Sequence, residues 1–139
     1  MLERKSRVLI LCTGNSARSQ MAEGILRDYV GEKIEVFSAG VNPSSLRPEA
    51  IQVMKEIGID ISGQRAKSVT EFTGQQFEYL ITVCDNAKEV CPVFPGRARQ
   101  IHHNFEDPPP ISIGSEEERL AIFRRVRDEI RAWIRDLNI

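Results

Sequence analysis

A strand, a polar loop and a helix follow one another near the N-terminus, and this succession constrains the fold more than any other feature. An apolar run predicts a buried β-strand over Arg7–Leu11. Polar and small residues occupy positions 12–19, and apolar side chains at helical spacing then run from Met21 to Tyr29. A buried strand that leads through a short loop into a helix is typical of a parallel α/β sheet.

The loop over residues 12–19, here called the anion loop, carries groups suited to binding a negative charge. Backbone N–H groups before a helix, together with the helix dipole, favour an anion. Arg18 can bind an oxyanion through its planar guanidinium, and Cys12 lies where the same field favours a thiolate. Ser19 can donate a hydrogen bond to that thiolate. The alternative is a small buried cysteine before an ordinary polar turn. The predicted oxyanion-binding residues are Thr13, Gly14, Asn15, Ser16, Ala17, Arg18 and Ser19.

Length and charge exclude several classes of protein. The 139 residues suit one domain over 1–139, with 41% hydrophobic and 28% charged residues. A net charge of −1 gives no reason to expect nucleic acid or a membrane surface as a partner, and no apolar run reaches the length of a membrane span. Without a signal peptide the protein is expected in the cytoplasm, where its three cysteines would be kept reduced and reactive.

Strand and helix patterns alternate along the rest of the chain and predict a single-domain α/β fold with helices on both faces of a parallel sheet. Pro48 opens a second helix, and Ser115 with Glu118 forms a capping box before a long final helix. A short helix or turn is expected over Thr70–Phe77. Further strands are predicted over Ile34–Ser38, Tyr79–Val83 and Arg99–His102.

Three chemically capable residues follow predicted strands. Cys12, Cys84 and Asp107 each come after a strand of a parallel sheet, so we expect them at the same edge. If Cys12 attacks the central atom of a bound oxyanion, the leaving oxygen needs a proton, and Asp107 is the candidate acid. The alternative is that Asp107 merely begins the turn made with Pro108.

Residues 12–24, CTGNSARSQMAEG, resemble the phosphate-binding loop of the low-molecular-weight protein tyrosine phosphatase superfamily, and most of all its thioredoxin-coupled arsenate reductases. The match extends to Val83-Cys84-Asp85, to Cys91-Pro92 and to Asp107-Pro108. The resemblance implies a four-stranded sheet of order 2-1-3-4, with the aspartate of the Asp-Pro pair as general acid. We expect the protein to need no cofactor and to be a monomer.

Cys84 and Cys91 distinguish a reductase from a phosphatase, which would need only Cys12, Arg18 and Asp107. In the predicted relay Cys84 attacks Cys12 and arsenite leaves, and Cys91 then attacks Cys84, giving the disulfides Cys12–Cys84 and Cys84–Cys91. The resemblance implies the same relay, with thioredoxin as reductant, although a glutaredoxin with glutathione is an alternative. A seven-residue separation requires the segment to unwind before Cys84 and Cys91 can bond, so we expect it to loop out on oxidation.

Two departures from the phosphatase pattern favour a small inorganic substrate. Many phosphatases of the superfamily have a second cysteine where this chain has Ala17, and their pockets are flanked by aromatic residues, whereas only prolines directly follow Asp107. Arsenate is therefore the expected substrate, and phosphate or sulfate would compete with it. Two further alternatives are a protein that only binds oxyanions and a zinc site that joins the later cysteines to His102 and His103.

Some reductases of the family bind potassium beside the loop. The resemblance carries that site to Asn15, Glu23 and Ser38, but Lys67 stands where a further aspartate would be. We therefore expect no metal at this site and hypothesise that the Lys67 ammonium replaces the ion. The alternative is an exposed lysine with no role.

Overall fold

The computed structural model describes residues 6–84, 98–137 and 139. Its four strands are β1 (Ser6–Cys12), β2 (Ile34–Gly40), β3 (Tyr79–Thr82) and β4 (Arg99–His102). All three pairings between neighbouring strands are parallel, and the order across the sheet is β2-β1-β3-β4. The predicted α/β class and strand order are confirmed.

The central position of β1 explains why its residues 8–11 are all apolar. β1 pairs with β2 on one side and β3 on the other, and its residues 8–11 are at most 1% exposed. A parallel strand in this position is covered on both faces and cannot alternate between polar and apolar residues. The apolar run before the anion loop, which most constrains the fold, therefore lies at the centre of the core.

Three α-helices are described: α1 (Arg18–Val30), α2 (Pro48–Lys55) and α3 (Glu116–Asp136). They pack against one another, and α1 contacts the sheet where Ser38 donates a hydrogen bond to Glu23. Phe37 alternates with Ser38 along β2 and points to the opposite face, where its ring meets Phe72. Phe72 belongs to a 3₁₀ helix, Val69–Phe72, so helical structure covers both faces.

Local sequence signals set most of the element ends. Ser115 accepts a hydrogen bond from the Glu118 backbone N–H at 3.1 Å and donates its own to the Glu118 carboxylate at 3.3 Å, which confirms the capping box. The expected helix or turn over Thr70–Phe77 is shorter than predicted, since it ends before Gly74, whose φ of 84° is left-handed. β2 also runs beyond Ser38, because its last two residues pair with the end of β1.

The carboxyl ends of the strands bring the candidate residues to one edge. Cys12 is the last residue of β1, and Val83, just before Cys84, donates its backbone N–H to Leu11 at 2.9 Å. The chain after β4 returns to the same edge, where the Phe105 N–H donates to Val83 at 3.1 Å. Within the described residues, no helix combines the length and hydropathy that a membrane span requires.

Candidate active site

The anion loop turns sharply around the Cys12 sulfur. Asn15 adopts a left-handed conformation with φ of 49°, and its backbone N–H points at Cys12 Sγ from 3.1 Å. Gly40 lies directly against this turn, since a Cβ at that position would stand 2.6 Å from the Thr13 carbonyl oxygen and 2.9 Å from the Asn15 nitrogen. Any side chain at Gly40 would therefore displace the turn.

A chain of hydrogen bonds directs a donor at the same sulfur. Asn15 Nδ2 donates to Ser19 Oγ at 2.7 Å, and this oxygen lies 2.8 Å from Cys12 Sγ. Because the Ser19 hydroxyl already accepts from Asn15, its own hydrogen is available to the sulfur. The predicted contact between the Ser19 hydroxyl and the Cys12 sulfur is therefore present.

The surroundings of Cys12 act on its pKa in opposite directions. Cys12 is 2% exposed, and its burial raises the pKa of the thiol, which is the largest influence. Hydrogen bonds from Ser19 and the Asn15 N–H, together with the charge of Arg18, lower it. Burial outweighs these donors and the pKa of Cys12 lies above its ordinary value, so the thiolate expected from the sequence is not favoured by this arrangement, and each donor that is lost would raise the pKa further.

The residues assigned to a cation site form a connected group behind the loop. Asn15 Nδ2 also donates to Ser38 Oγ at 2.9 Å, and Ser38 donates to Glu23 Oε1 at 2.5 Å. The Lys67 ammonium lies 3.7 Å from the same Glu23 oxygen, and the Lys67 backbone N–H donates to Asn15 Oδ1 at 2.9 Å. Burial lowers the pKa of Lys67, whereas the charge of Glu23 raises it.

Arg18 links the anion loop to the candidate acid. Its guanidinium is nearly buried, donates to the Phe105 carbonyl at 3.1 Å and lies 3.5 Å from Asp107 Oδ1. The Asp107 side chain is 73% exposed and faces the mouth of a cavity of about 200 Å³. The cavity is lined by Cys12, Thr13, Gly14, Ser16, Ala17, Arg18, Ser44 and Asp107.

The predicted oxyanion set divides into two groups. Five of its seven members line the cavity, while Asn15 and Ser19 are fully buried and make their contacts beneath it, with Cys12 and Ser38. Ser44 joins the cavity wall, although the sequence analysis did not include it among the candidate site residues. Its backbone N–H donates to the Gly14 carbonyl at 2.9 Å, and its place in a turn after a strand of the sheet was the available signal.

Cys84 lies beside the loop. Its sulfur is 3.3 Å from Thr13 Oγ1, on the residue next to Cys12, and it is 4% exposed. Cys12 and Cys84 are both thiols rather than a disulfide. Cys91, and with it the segment predicted to loop out, lies outside the described residues. Over residues 6–84 and 98–137, no three His, Cys, Asp or Glu side chains are grouped as a metal site requires.

Comparisons with known proteins agree with this arrangement. The profile of the family described as low molecular weight phosphotyrosine protein phosphatase matches residues 7–138. An arsenate reductase from Halalkalibacterium halodurans is 44% identical over 126 residues, which cover 91% of this chain and 90% of that protein.

Two solved structures extend the comparison. An arsenate reductase in the phosphate binding state has a TM-score of 0.75 at 31% identity and covers 94% of this chain and 95% of its own. A thioredoxin-dependent arsenate reductase from Corynebacterium glutamicum has a TM-score of 0.76 at 27% identity and covers 98% of this chain and 61% of its own. The resemblance found in residues 12–24 is confirmed: the chain belongs to the low molecular weight phosphotyrosine protein phosphatase family, among relatives that include arsenate reductases.

Proposed function

We propose that this protein reduces arsenate to arsenite through a relay of its three cysteines, with thioredoxin as the external reductant. The contact of Cys84 with Thr13 carries the proposal, because it brings a second thiol beside the nucleophile of an oxyanion pocket. The arsenate reductases among the relatives, one of them thioredoxin-dependent, support the same substrate and reductant.

In the first step Cys12 attacks the arsenic of a bound arsenate. The guanidinium of Arg18 and the loop N–H groups hold the remaining oxygens, and Asp107 gives a proton to the departing oxygen, which leaves as water. The 3.5 Å separation of Arg18 and Asp107 supports this assignment, since it brings the acid to the mouth of the cavity. The product is a covalent arsenic–sulfur adduct on Cys12.

Electron transfer follows in the second step. The Cys84 thiolate attacks Cys12 Sγ, a sulfur–sulfur bond forms, and the arsenic–sulfur bond breaks with its electron pair on arsenic, which becomes arsenite. Cys91 then attacks Cys84, which frees Cys12 and leaves a Cys84–Cys91 disulfide. A thioredoxin dithiol reduces that disulfide in turn. Phosphate and sulfate, with similar shape and charge, would occupy the cavity as competitors.

Further properties follow from this chemistry. We expect the protein to act as a monomer, with no bound cofactor, in the cytoplasm, where thiols are kept reduced. The contact of Lys67 with Glu23 supports our hypothesis that this ammonium stands in place of a potassium ion beside Asn15 and Ser38.

A phosphatase acting on phosphomonoesters is the second candidate. Cys12, Arg18 and Asp107 line one cavity and would suffice for a phosphoenzyme that water hydrolyses. The matching family is described as a phosphotyrosine protein phosphatase, and this description favours phosphatase activity. The two functions differ in their need for Cys84 and Cys91.

The decisive experiment couples arsenate to NADPH through thioredoxin and thioredoxin reductase. We expect NADPH consumption by the parent protein, and none by Cys84→Ser or Cys91→Ser. A phosphatase would hydrolyse an aryl phosphate equally well in all three proteins and consume no NADPH with arsenate. A protein that only binds oxyanions would retain phosphate and turn over neither substrate.

A single turnover without thioredoxin sharpens the test. One reduced chain holds enough thiols to release one arsenite, so we expect one arsenite per parent chain and one Cys84–Cys91 disulfide by peptide mapping. With Cys91→Ser the arsenite is still released, and the disulfide is then Cys12–Cys84. Release of arsenite by Cys84→Ser would contradict the proposed electron route.

A further inference from the structure

A buried carboxylate that lies outside the cavity connects the two chain segments that form the cavity walls. Glu49, near the start of α2, is 5% exposed, and its Oε2 accepts hydrogen bonds from Arg47 at 2.8 Å and from Arg119 at 3.1 Å. Burial raises the pKa of Glu49, but these two arginines outweigh it, so the pKa lies below its usual range. Glu49 is therefore a fixed negative charge that orients two guanidinium groups.

Arg119 fixes one end of the segment that carries the candidate acid. This segment, residues 103–115, is here called the acid loop. Arg119 Nη1 donates to the Gly114 carbonyl at 2.8 Å and to the Ile113 carbonyl at 3.3 Å, just before α3 begins. Because the same guanidinium also donates to Glu49 of α2, Arg119 connects the end of the acid loop to α2.

The other end of the acid loop is fixed independently. Phe105 is buried, its N–H donates to Val83, and its carbonyl accepts from Arg18. Glu106 then forms an ion pair with Arg125 of α3. Asp107 follows directly and lies between two anchored points; its neighbour Pro108 is buried, whereas residues 110–115 are exposed.

The same carboxylate is also connected to the anion loop. Arg47 donates its backbone N–H to the carbonyl of Ser16, which lines the cavity, at 2.9 Å. Its guanidinium, 5.1 Å from the centre of the Phe123 ring, donates to Glu49 at 2.8 Å. A continuous set of contacts thus runs from Ser16 through Arg47, Glu49 and Arg119 to the acid loop.

We propose that Glu49 and Arg119 are positioning residues that hold the acid loop, and with it Asp107, at the mouth of the cavity. This inference rests on the proposed function, because it takes Asp107 as the proton donor. Proton transfer requires the acid within hydrogen-bond reach of the leaving oxygen. A loop released at one end would spend less time in that geometry, although the anion loop itself would be unchanged.

The test replaces Arg119 and a matched control on the same helix. Arg124 is also on α3 and also pairs with a glutamate beside α2, Glu56, at 2.8 Å, but it does not contact the acid loop. We expect Arg119→Met to lower kcat/KM for arsenate about 10-fold. The Kd of inorganic phosphate stays at the parent value, because the anion loop is intact. Arg124→Met changes neither quantity.

A double-mutant cycle with the acid separates positioning from general damage. With Asp107→Asn already present, adding Arg119→Met should cost no further activity, since no proton donor remains to be positioned. An equal 10-fold loss in both backgrounds would overturn the inference. Glu49→Gln, which keeps the shape of the side chain, should behave as Arg119→Met does and gives a second route if one variant folds poorly.

A measurement that does not depend on activity keeps the inference distinct from the proposed function. Hydrogen exchange over residues 106–114 should be faster in Arg119→Met than in the parent or in Arg124→Met. If the parent fails to reduce arsenate, the proposed function fails, and the exchange result still decides whether Arg119 anchors the loop. Unchanged exchange over residues 106–114 overturns the inference whatever the activity.

Discussion

The anion loop and the acid loop meet at one cavity, but the chain builds them in opposite ways. In the anion loop Asn15 and Ser19 are fully buried and bonded to one another. In the acid loop the Asp107 side chain is 73% exposed, and Ile111 is among the exposed large apolar residues. The difference indicates that the proposed oxyanion cradle is held by its own buried hydrogen bonds, whereas the proposed acid is held by contacts at the two ends of its loop.

This contrast has a chemical reason. A cradle stabilises charge through donors that are already oriented, so its backbone must be held by buried partners. A proton donor must be reprotonated between turnovers, and an exposed side chain can take that proton directly from water. Substitutions in the two loops should therefore separate stability from catalysis.

The largest expected effect is on catalysis and comes from the exposed loop. Asp107→Asn removes the proposed proton donor and should lower kcat/KM for arsenate by about 100-fold. The free energy of unfolding should change by less than about 0.5 kcal/mol, because the side chain is mostly in solvent. Kinetics together with urea unfolding checks both values. A loss of stability as large as the loss of activity would contradict the division between the loops.

In the anion loop, by contrast, we expect a substitution to affect stability more than catalysis. Asn15→Ala removes donors to Ser19 and Ser38 and an acceptor for Lys67, leaving buried polar groups unpaired. We expect the free energy of unfolding to fall by about 2 kcal/mol. Ile111→Ser is the control from the acid loop and should be neutral. Equal midpoints for the two variants in urea would show that the anion loop is not held by this network.

A smaller effect concerns the protonation of Cys12. Ser19→Ala removes a hydrogen bond that lowers the pKa of the thiol, so the pKa should rise further above its usual range. Since the thiolate is the reactive form, alkylation of Cys12 by iodoacetamide should shift to higher pH. The rate is followed by mass spectrometry of the Cys12 peptide. Thr70→Ala, which removes an exposed hydroxyl instead of a buried one, is the control, and a shift to lower pH would refute the assignment.

The sequence predicted the anion loop, but it did not predict the distant contacts that hold the acid loop. The apolar run into Cys12, the turn residues and the Ser115 cap are local signals, and each was found where periodicity and capping chemistry indicate. The Glu49–Arg119 contact spans 70 positions, and nothing local marks either residue as part of a site. Asn15 was expected to contribute to oxyanion binding, but its side chain points inward, because its left-handed backbone turns it towards Ser38.

The smallest expected effect lies behind the anion loop, at Lys67. If its ammonium stands in place of an ion beside Glu23, turnover at constant ionic strength should be the same in potassium as in sodium salts. Lys67→Ala should lower the free energy of unfolding by about 1 kcal/mol, since Glu23 loses a partly buried partner. Potassium should then restore more of that stability than sodium, because Glu23, Ser38 and Asn15 would offer it oxygen ligands. A strong potassium dependence of the parent would instead mean that the ammonium does not replace the ion.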